Sequence, residues 1–379
     1  MSRLSALCSA ALLCLMWSVA ALAQNVAPPP PVAARAWLLY DYGSAQVLAA
    51  SHEHDRVEPA SLTKLMTAYL TFAALKQGTL KINQVVPVSE KAWKTQGSRM
   101  FIEMDRPVTV DELLRGVIVQ SGNDACIALA EVIAGSEENF AQMMNREAQR
   151  LGLTQTQFRN ATGLPDPQHY STAHDLALLA SALIRDFPEY YPLYSIKEYR
   201  YNNITQPNRN RLLHSDPHVD GFKTGHTESA GYCLVASARR ENRRLISVVL
   251  GTASDAARAS ESARLLDYGF RQFDYVRVYA GGQAVARLPV YKGAARDVKA
   301  GFARDFMLPV PKGQAGQLKV QMVSRQPLLA PVAAGQTVAT LKLALGERPL
   351  GDYPLGALEA VPAAGVLGQA WDTLRLWFE

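Results

Sequence analysis

Cysteine is scarce in this chain of 379 residues: there are four, and two of them, Cys8 and Cys14, lie inside an apolar N-terminal run. The remaining pair, Cys126 and Cys233, is too small a set for a disulfide framework. Both sit in apolar, element-like stretches, so a single bridge and two buried free thiols are both compatible with the sequence. A strong charge of one sign is also missing. Lys and Arg number 39 against 34 Asp and Glu, a net +5, and no Lys/Arg block interleaved with aromatics appears, so no nucleic-acid partner is expected. There is no internal repeat, and low complexity is confined to Ala27-Pro28-Pro29-Pro30-Pro31. His52-Glu53-His54 lacks the i, i+4 spacing of a helical zinc pair and reads as a surface loop, and neither a metal nor a cofactor is expected.

Only one long hydrophobic run exists. Arg3 precedes an apolar stretch from Leu4 to Leu22, and Ala21-Leu22-Ala23 forms a small-x-small pattern before Gln24. Residues 1–23 therefore read as a signal peptide, with a retained anchor as the alternative. Residues 24–34 follow as a Pro-rich spacer.

What is present is an ordered series of elements. Trp37 to Tyr40 and Ala45 to Ala49 read as two strands joined by a tight turn. Ser61 opens a helical pattern in which Leu62, Met66 and Leu70 form an apolar stripe expected to be buried along one side. Thr109-Val110-Asp111-Glu112 is a capping-box signature before a helix to Val119. Further helices are expected from Asp124 to Ala134, from Ser136 to Leu151 and from Leu176 to Ile184, with a loop at Asn160 to Pro167. Val219 to Lys223, Tyr232 to Ala238 and Leu245 to Gly251 read as antiparallel strands, and a helix from Ala257 to Phe273 closes the unit. Strands from both ends around a helical middle imply an α+β domain over residues 35–275.

After Tyr275 helical periodicity disappears. Short alternating runs such as Phe306 to Val310, Gln317 to Val323 and Val338 to Leu345 suggest a small all-β domain over residues 276–361. The last stretch, 366–379, places Leu367, Ala370, Trp371, Leu374, Trp377 and Phe378 on one helical face. At about 21 Å such a helix is too short to span a bilayer but suits the membrane interface or packing on protein.

The chemistry is carried by three short motifs. Ser61-Leu62-Thr63-Lys64 puts a hydroxyl and an amine on one face, so a neutral Lys64 could take the serine proton. Such a lysine needs partial burial and a nearby second cation. Ser121-Gly122-Asn123 and Lys223-Thr224-Gly225 follow in order. Together the three resemble the penicillin-recognising serine transferases, the group of serine β-lactamases and penicillin-binding proteins. The flanks, including Gln206-Pro207-Asn208-Arg209-Asn210 and Asp220-Gly221-Phe222 before Lys223, resemble the low-molecular-weight D-alanyl-D-alanine carboxypeptidases.

That resemblance implies a serine carboxypeptidase of the β-lactamase-like fold that removes the terminal D-alanine from peptidoglycan stem peptides and is acylated by β-lactams. It implies Ser61 as nucleophile, Lys64 as base, Ser121 as proton relay, Asn123 as a contact of Lys64 and of the substrate amide, and Lys223 as the second cation. Thr224 and Arg209 would hold the free carboxylate, with Arg211 as the other candidate arginine. Backbone N–H groups of Ser61 and His226, next to Gly225, would form the oxyanion hole. It further implies a periplasmic location, with peripheral inner-membrane contact through the terminal helix, although Arg375 against Asp372 and Glu379 gives that helix a feeble basic face. Asp166, between two prolines, is the only carboxylate where a β-lactamase of the common class keeps its deacylation base, and its setting does not suit that task. An endopeptidase of the same clan and a non-catalytic wall-binding scaffold remain the alternatives.

Overall fold

Strand alternation explains the central layer. In β1 (Ala36–Asp41), Ala36, Leu38 and Tyr40 face one side, while Trp37 and Leu39 face the other, and both sides are buried. A strand apolar on both faces belongs in the middle of a covered sheet. β1 lies between β2 (Gln46–Ser51) and β5 (Arg243–Thr252), and β4 (Gly231–Arg240) and β3 (Val219–Thr227) continue the sheet in the order β2-β1-β5-β4-β3, all antiparallel. The computed structural model describes residues 27–324 and 326–365 together with Gln369 and Asp372. The signal-peptide and terminal-helix expectations lie outside these residues.

One face of the sheet is covered by a helical cluster: α1 (Lys64–Gln77), α2 (Val110–Arg115), α3 (Asn123–Ala134), α4 (Glu137–Arg150) and α5 (Ala173–Asp186). The other face is covered by α6 (Asp255–Gln272), which contributes Ala259, Leu265 and Leu266. The helix starts follow the sequence. Thr109 and Glu112 form the reciprocal capping box, and the side chains of Ser136, Thr172 and Ser254 each accept a backbone N–H of the first turn. α1 departs from expectation, because residues 64–72 are buried on every side rather than along one stripe. It runs through the centre of the cluster against α3 and α5, where no face meets water. Cys126 and Cys233 are free thiols, both buried, which rules out the bridge. Among the described residues no helix is long and apolar enough to cross a membrane.

The C-terminal part is a β domain. Six strands run in the order Leu318–Ser324, Thr337–Leu345, Arg348–Ala357, Asp297–Gly301, Ala284–Tyr291 and Leu328–Leu329, and Phe273–Tyr279 pairs with Phe306–Pro311. Leu288, Val298, Leu308, Val338, Leu341 and Leu355 form its core. The junction with the first domain is polar and buried. Arg243 Nε donates to Asp41 Oδ2 at 2.9 Å, and Arg243 Nη1 donates to Gly269 O and Phe273 O, the end of α6 and the first residue of the β domain. The Asp41 carboxylate also accepts from the Ser44 amide and hydroxyl.

Truncating one partner of this buried pair leaves the other charge uncompensated. Asp41→Ala is therefore expected to lower the unfolding free energy by about 3–5 kcal/mol in denaturant titrations. A loss under about 1 kcal/mol would show that water or relaxation satisfies Arg243.

Candidate active site

The Ser61 segment begins with a break. Pro59 precedes a 3-10 turn, Ala60–Thr63, and the α-helix begins only at Lys64, so Ser61 does not open α1 but sits just ahead of it. In a 3-10 turn residues i and i+3 eclipse, which sets Lys64 over Ser61 more directly than an α-turn would. Lys64 Nζ donates to Ser61 Oγ at 2.8 Å and to the backbone carbonyl of Thr162 at 2.6 Å. The expected contact between Asn123 and Lys64 is replaced by that carbonyl. The Asn123 amide donates instead to Gln96 O at 2.7 Å.

Lys64 is only 1% exposed and no carboxylate hydrogen-bonds it. Burial pushes it down from 10.5 to about 8, and the positive charge of Arg209 acts in the same direction. Lys223, also buried, is pushed well below its ordinary value by burial first and then by Lys64, Arg209 and Arg258. The site thus crowds cationic groups into a poorly solvated space, where neutral amines are favoured. Lys64 and Lys223 repel one another, and Arg209 acts on both in the same direction.

The second motif follows a π-helical turn, Gly116–Gln120, and places Ser121 in the left-handed region at φ 61°. Such a backbone is costly for serine and is kept only where surroundings over-determine it. Its Oγ is buried and has no hydrogen-bond partner among the described residues. Asp124, one residue past the motif, accepts the amides of Met100, Phe101 and Ile102. Together with the Asn123 amide bonded to Ser98 O, this clamps residues 96–102 onto the motif.

The third motif lies within β3, the terminal strand of the sheet. Gly225 is required by proximity: a Cβ there would stand 2.9 Å from Pro59 O and 3.2 Å from Ser61 N. Only glycine lets the strand approach the nucleophile turn so closely. Asn208 and Asn210 are buried and tie their loop to Ile196 O and Gly221 O, so Arg209 between them projects outward. Its Nη1 donates to Ser98 Oγ at 2.8 Å. Arg211 is committed to Asp255. Ser61, Ser121, Arg209, Thr224, Gly225 and His226 line one cleft of about 560 Å³, and the His226 ring packs tilted against Tyr232. Asp166 caps its own turn through the Gln168 amide and is not among the residues lining the cleft.

Four contributors were not found from sequence: Thr162 O, Ser98, Asp124 and Arg258, whose Nη1 donates to Gly225 O. Asp124 adjoins a motif and had a signal. A backbone carbonyl and a serine 23 positions away had none.

If Lys64 is the base, serine acylation should rise with pH through about 8, the value to which burial brings Lys64. A profile of acylation rate by a β-lactam that stays flat from about pH 6 to 9 would exclude a titrating Lys64 from the step.

The family model described as D-alanyl-D-alanine carboxypeptidase matches residues 23–254, and that described as penicillin-binding protein 5, C-terminal domain, matches residues 273–363. D-alanyl-D-alanine carboxypeptidase DacC of Escherichia coli K12 is 43% identical over 364 residues, 94% of this chain and 91% of that protein. DacA of Haemophilus influenzae is 41% identical over 354 residues, 92% and 90% of the two chains. The crystal structure of penicillin binding protein 5 from Haemophilus influenzae superposes with a TM-score of 0.81 at 41% identity, covering 89% of this chain and 99% of that one. Penicillin-binding protein D2 from Listeria monocytogenes in the ampicillin-bound form superposes with a TM-score of 0.60 at 30% identity, covering 65% of this chain and all of that one.

Proposed function

The chain belongs to the D-alanyl-D-alanine carboxypeptidase family, and from that premise we propose how its own residues carry out the reaction. It is a serine D-alanyl-D-alanine carboxypeptidase, and the observation that carries the assignment of roles is the buried Lys64 amine 2.8 Å from Ser61 Oγ.

In this reading the peptidoglycan stem peptide enters the cleft with its terminal carboxylate on Arg209 and Thr224. A planar guanidinium suits that group, and Arg209 is the arginine that faces the cleft without a carboxylate partner of its own. Neutral Lys64 takes the Ser61 proton as Oγ attacks the carbonyl carbon between the two D-alanines. The developing oxyanion is received by the backbone N–H groups of Ser61 and His226. Collapse breaks the C–N bond, and the departing amine takes the proton held by Lys64 through Ser121, whose unpartnered hydroxyl is free to relay it, with Lys223, bonded to Thr224 O, as the group that would polarise it. D-alanine leaves, and Lys64, neutral again, takes a proton from the water that attacks the Ser61 ester and returns it to Ser61 Oγ as the ester breaks. Asn123, tied to Gln96 O, would orient the substrate amide from the opposite wall.

β-lactams fit the same route: Ser61 opens the lactam ring, and the amine that would leave stays tethered in the ester. The proposal includes export to the periplasm, supported by the signal-peptide pattern of residues 1–23, with the apolar face of residues 366–379 available for contact with the inner membrane.

The test is D-alanine release from a soluble pentapeptide ending in D-Ala-D-Ala. Ser61→Ala should abolish both release and covalent labelling by penicillin while unfolding at the wild-type temperature. Arg209→Ala should raise KM by roughly 10-fold to 100-fold, the cost of about 1.5–3 kcal/mol for a charged hydrogen bond. A pentapeptide amide, which lacks the carboxylate, should be insensitive to that change. Release by a folded Ser61→Ala variant would refute the assignment, and cleavage of cross-linked dimers without release from the pentapeptide would favour the endopeptidase reading.

A further inference from the structure

The loop between α4 and α5 folds back against the nucleophile turn. Its ends are tied by two hydrogen bonds between Gln157 and Tyr170, and Ser171 pairs with Val57, four residues before Ser61. Within it, the Asn160 side chain accepts the amides of Thr162 and Gly163 and fixes a tight turn. That turn presses on the nucleophile segment: a Cβ on Gly163, at φ 84°, would stand 1.8 Å from Ala60 O. Thr162 O, which the turn presents, is the acceptor that sets where Lys64 Nζ sits.

Lys64 cannot itself anchor this acceptor. In the proposed reaction its amine gains and loses a proton in each half of the turnover, so its bond to Thr162 O strengthens and weakens in step. The position of Thr162 O must be fixed by contacts that do not titrate with the base. Two such bonds flank it. Thr67 Oγ1 donates to Ala161 O at 2.7 Å, one turn along α1. On the other side, His169 Nε2 lies 2.8 Å from Thr63 Oγ1, the residue directly before Lys64.

The His169 ring has a defined tautomer. The Arg159 amide donates to Nδ1 at 3.3 Å, so Nδ1 is unprotonated and the ring proton sits on Nε2, which therefore donates to Thr63 Oγ1. The ring is 3% exposed and packs edge-on against Phe158. The charged groups that act on it are Asp166 and Arg159 on its own loop and Lys64 on α1. Burial, helped by Arg159 and Lys64 and opposed by Asp166, pushes it down to about 4, so the imidazole is neutral wherever Lys64 can act as a base.

We propose that His169 is a positioning residue for the reaction: through its Nε2–H bond to Thr63 it locks the 158–170 loop onto the nucleophile turn, which holds Thr162 O in place and keeps the Lys64 amine desolvated beside Ser61. The inference rests on Lys64 acting as the base. His169 does not line the cleft and touches no substrate. Its effect should appear in kcat and in the titration of Lys64, not in substrate affinity.

The experiment compares wild type, His169→Leu, His169→Gln and Thr63→Val on the soluble pentapeptide across pH. Thr63→Val keeps the side-chain shape and deletes only the acceptor, so it decides the matter even if His169→Leu does not fold. Thr63→Val and His169→Leu should each lower kcat by roughly 10-fold to 100-fold, the scale of a small displacement of a catalytic group, with KM within about twofold. Their rising limb should move up from about 8 towards 10.5 as water reaches Lys64. The double variant should lose no more than either single one, because both delete the same bond. His169→Gln, whose amide N–H can reach Thr63, should recover most of the rate. If Thr63→Val retains wild-type kcat and limb, the inference fails while the assignment of Lys64 stands. If wild type shows no limb near pH 8, the role of Lys64 fails first, and this inference with it.

Discussion

The structure depends on keeping an amine out of water. Lys64 lies at the start of α1, which is buried on every side over residues 64–72, with a serine hydroxyl and a carbonyl as its partners and no carboxylate bonded to it to balance a charge. Bringing it from 10.5 to about 8 corresponds to about 3 kcal/mol set against folding, since one unit is about 1.4 kcal/mol. The sign follows from linkage. The folded value lies below the unfolded one, so the penalty is fully present below about 8 and is relieved as pH rises through 8 towards 10.5. The apolar residues of α1, α3 and α5 that surround it offset that cost. A surface lysine at the same spacing would remain charged and hydrated and could not accept a proton from serine.

Holding that amine requires unusually close backbone packing around one turn. β3 approaches from one side and the 158–170 loop from the other, each through a glycine whose missing Cβ makes room against Pro59 O, Ser61 N or Ala60 O. Between them Ala60 takes φ 46°, and across the cleft Ser121 takes φ 61°. Two non-glycine residues with left-handed φ, each costing of order 1–3 kcal/mol, thus fall at the hydroxyls of Ser61 and Ser121, one directly before the first and one carrying the second. This strain is tolerated because three separate elements fix the same few residues. The Asp124 carboxylate performs the equivalent task on the far wall, gathering three amides of residues 100–102 into one acceptor.

The legible part of this site was the part written in side chains at short spacing. Ser61 and Lys64 are three apart, Thr109 and Glu112 form a capping box, and Ser136 and Thr172 mark helix starts, all within one helical turn where local geometry decides. The alternation of Ala36 to Asp41 likewise announced a strand, although only the sheet order shows that β1 is central. What could not be read was whatever depends on backbone atoms brought from far along the chain. Thr162 offers its carbonyl, which any residue would supply, and Ser98 meets Arg209 across 111 positions. The full burial of α1 was missed for a related reason. Its apolar stripe predicts one buried face, but α3, α4, α5 and the π-helical turn before Ser121 close around it from directions that sequence periodicity does not encode.

The two edges of the central sheet meet different fates, and this asymmetry sets the β domain apart from the cleft. At one edge, Gln46 at the start of β2 donates to Leu350 O and Tyr353 Oη of the β domain, while Arg243 ties Asp41 to Phe273. These bonds fasten the β domain to the first residue of the β2 edge. At the opposite edge, β3 carries Thr224, Gly225 and His226 into the cleft. There the strand runs close beside the turn that holds Ser61, the approach that Gly225 makes room for. The β domain is thus fastened to the edge away from the cleft, and none of its residues is among those lining it.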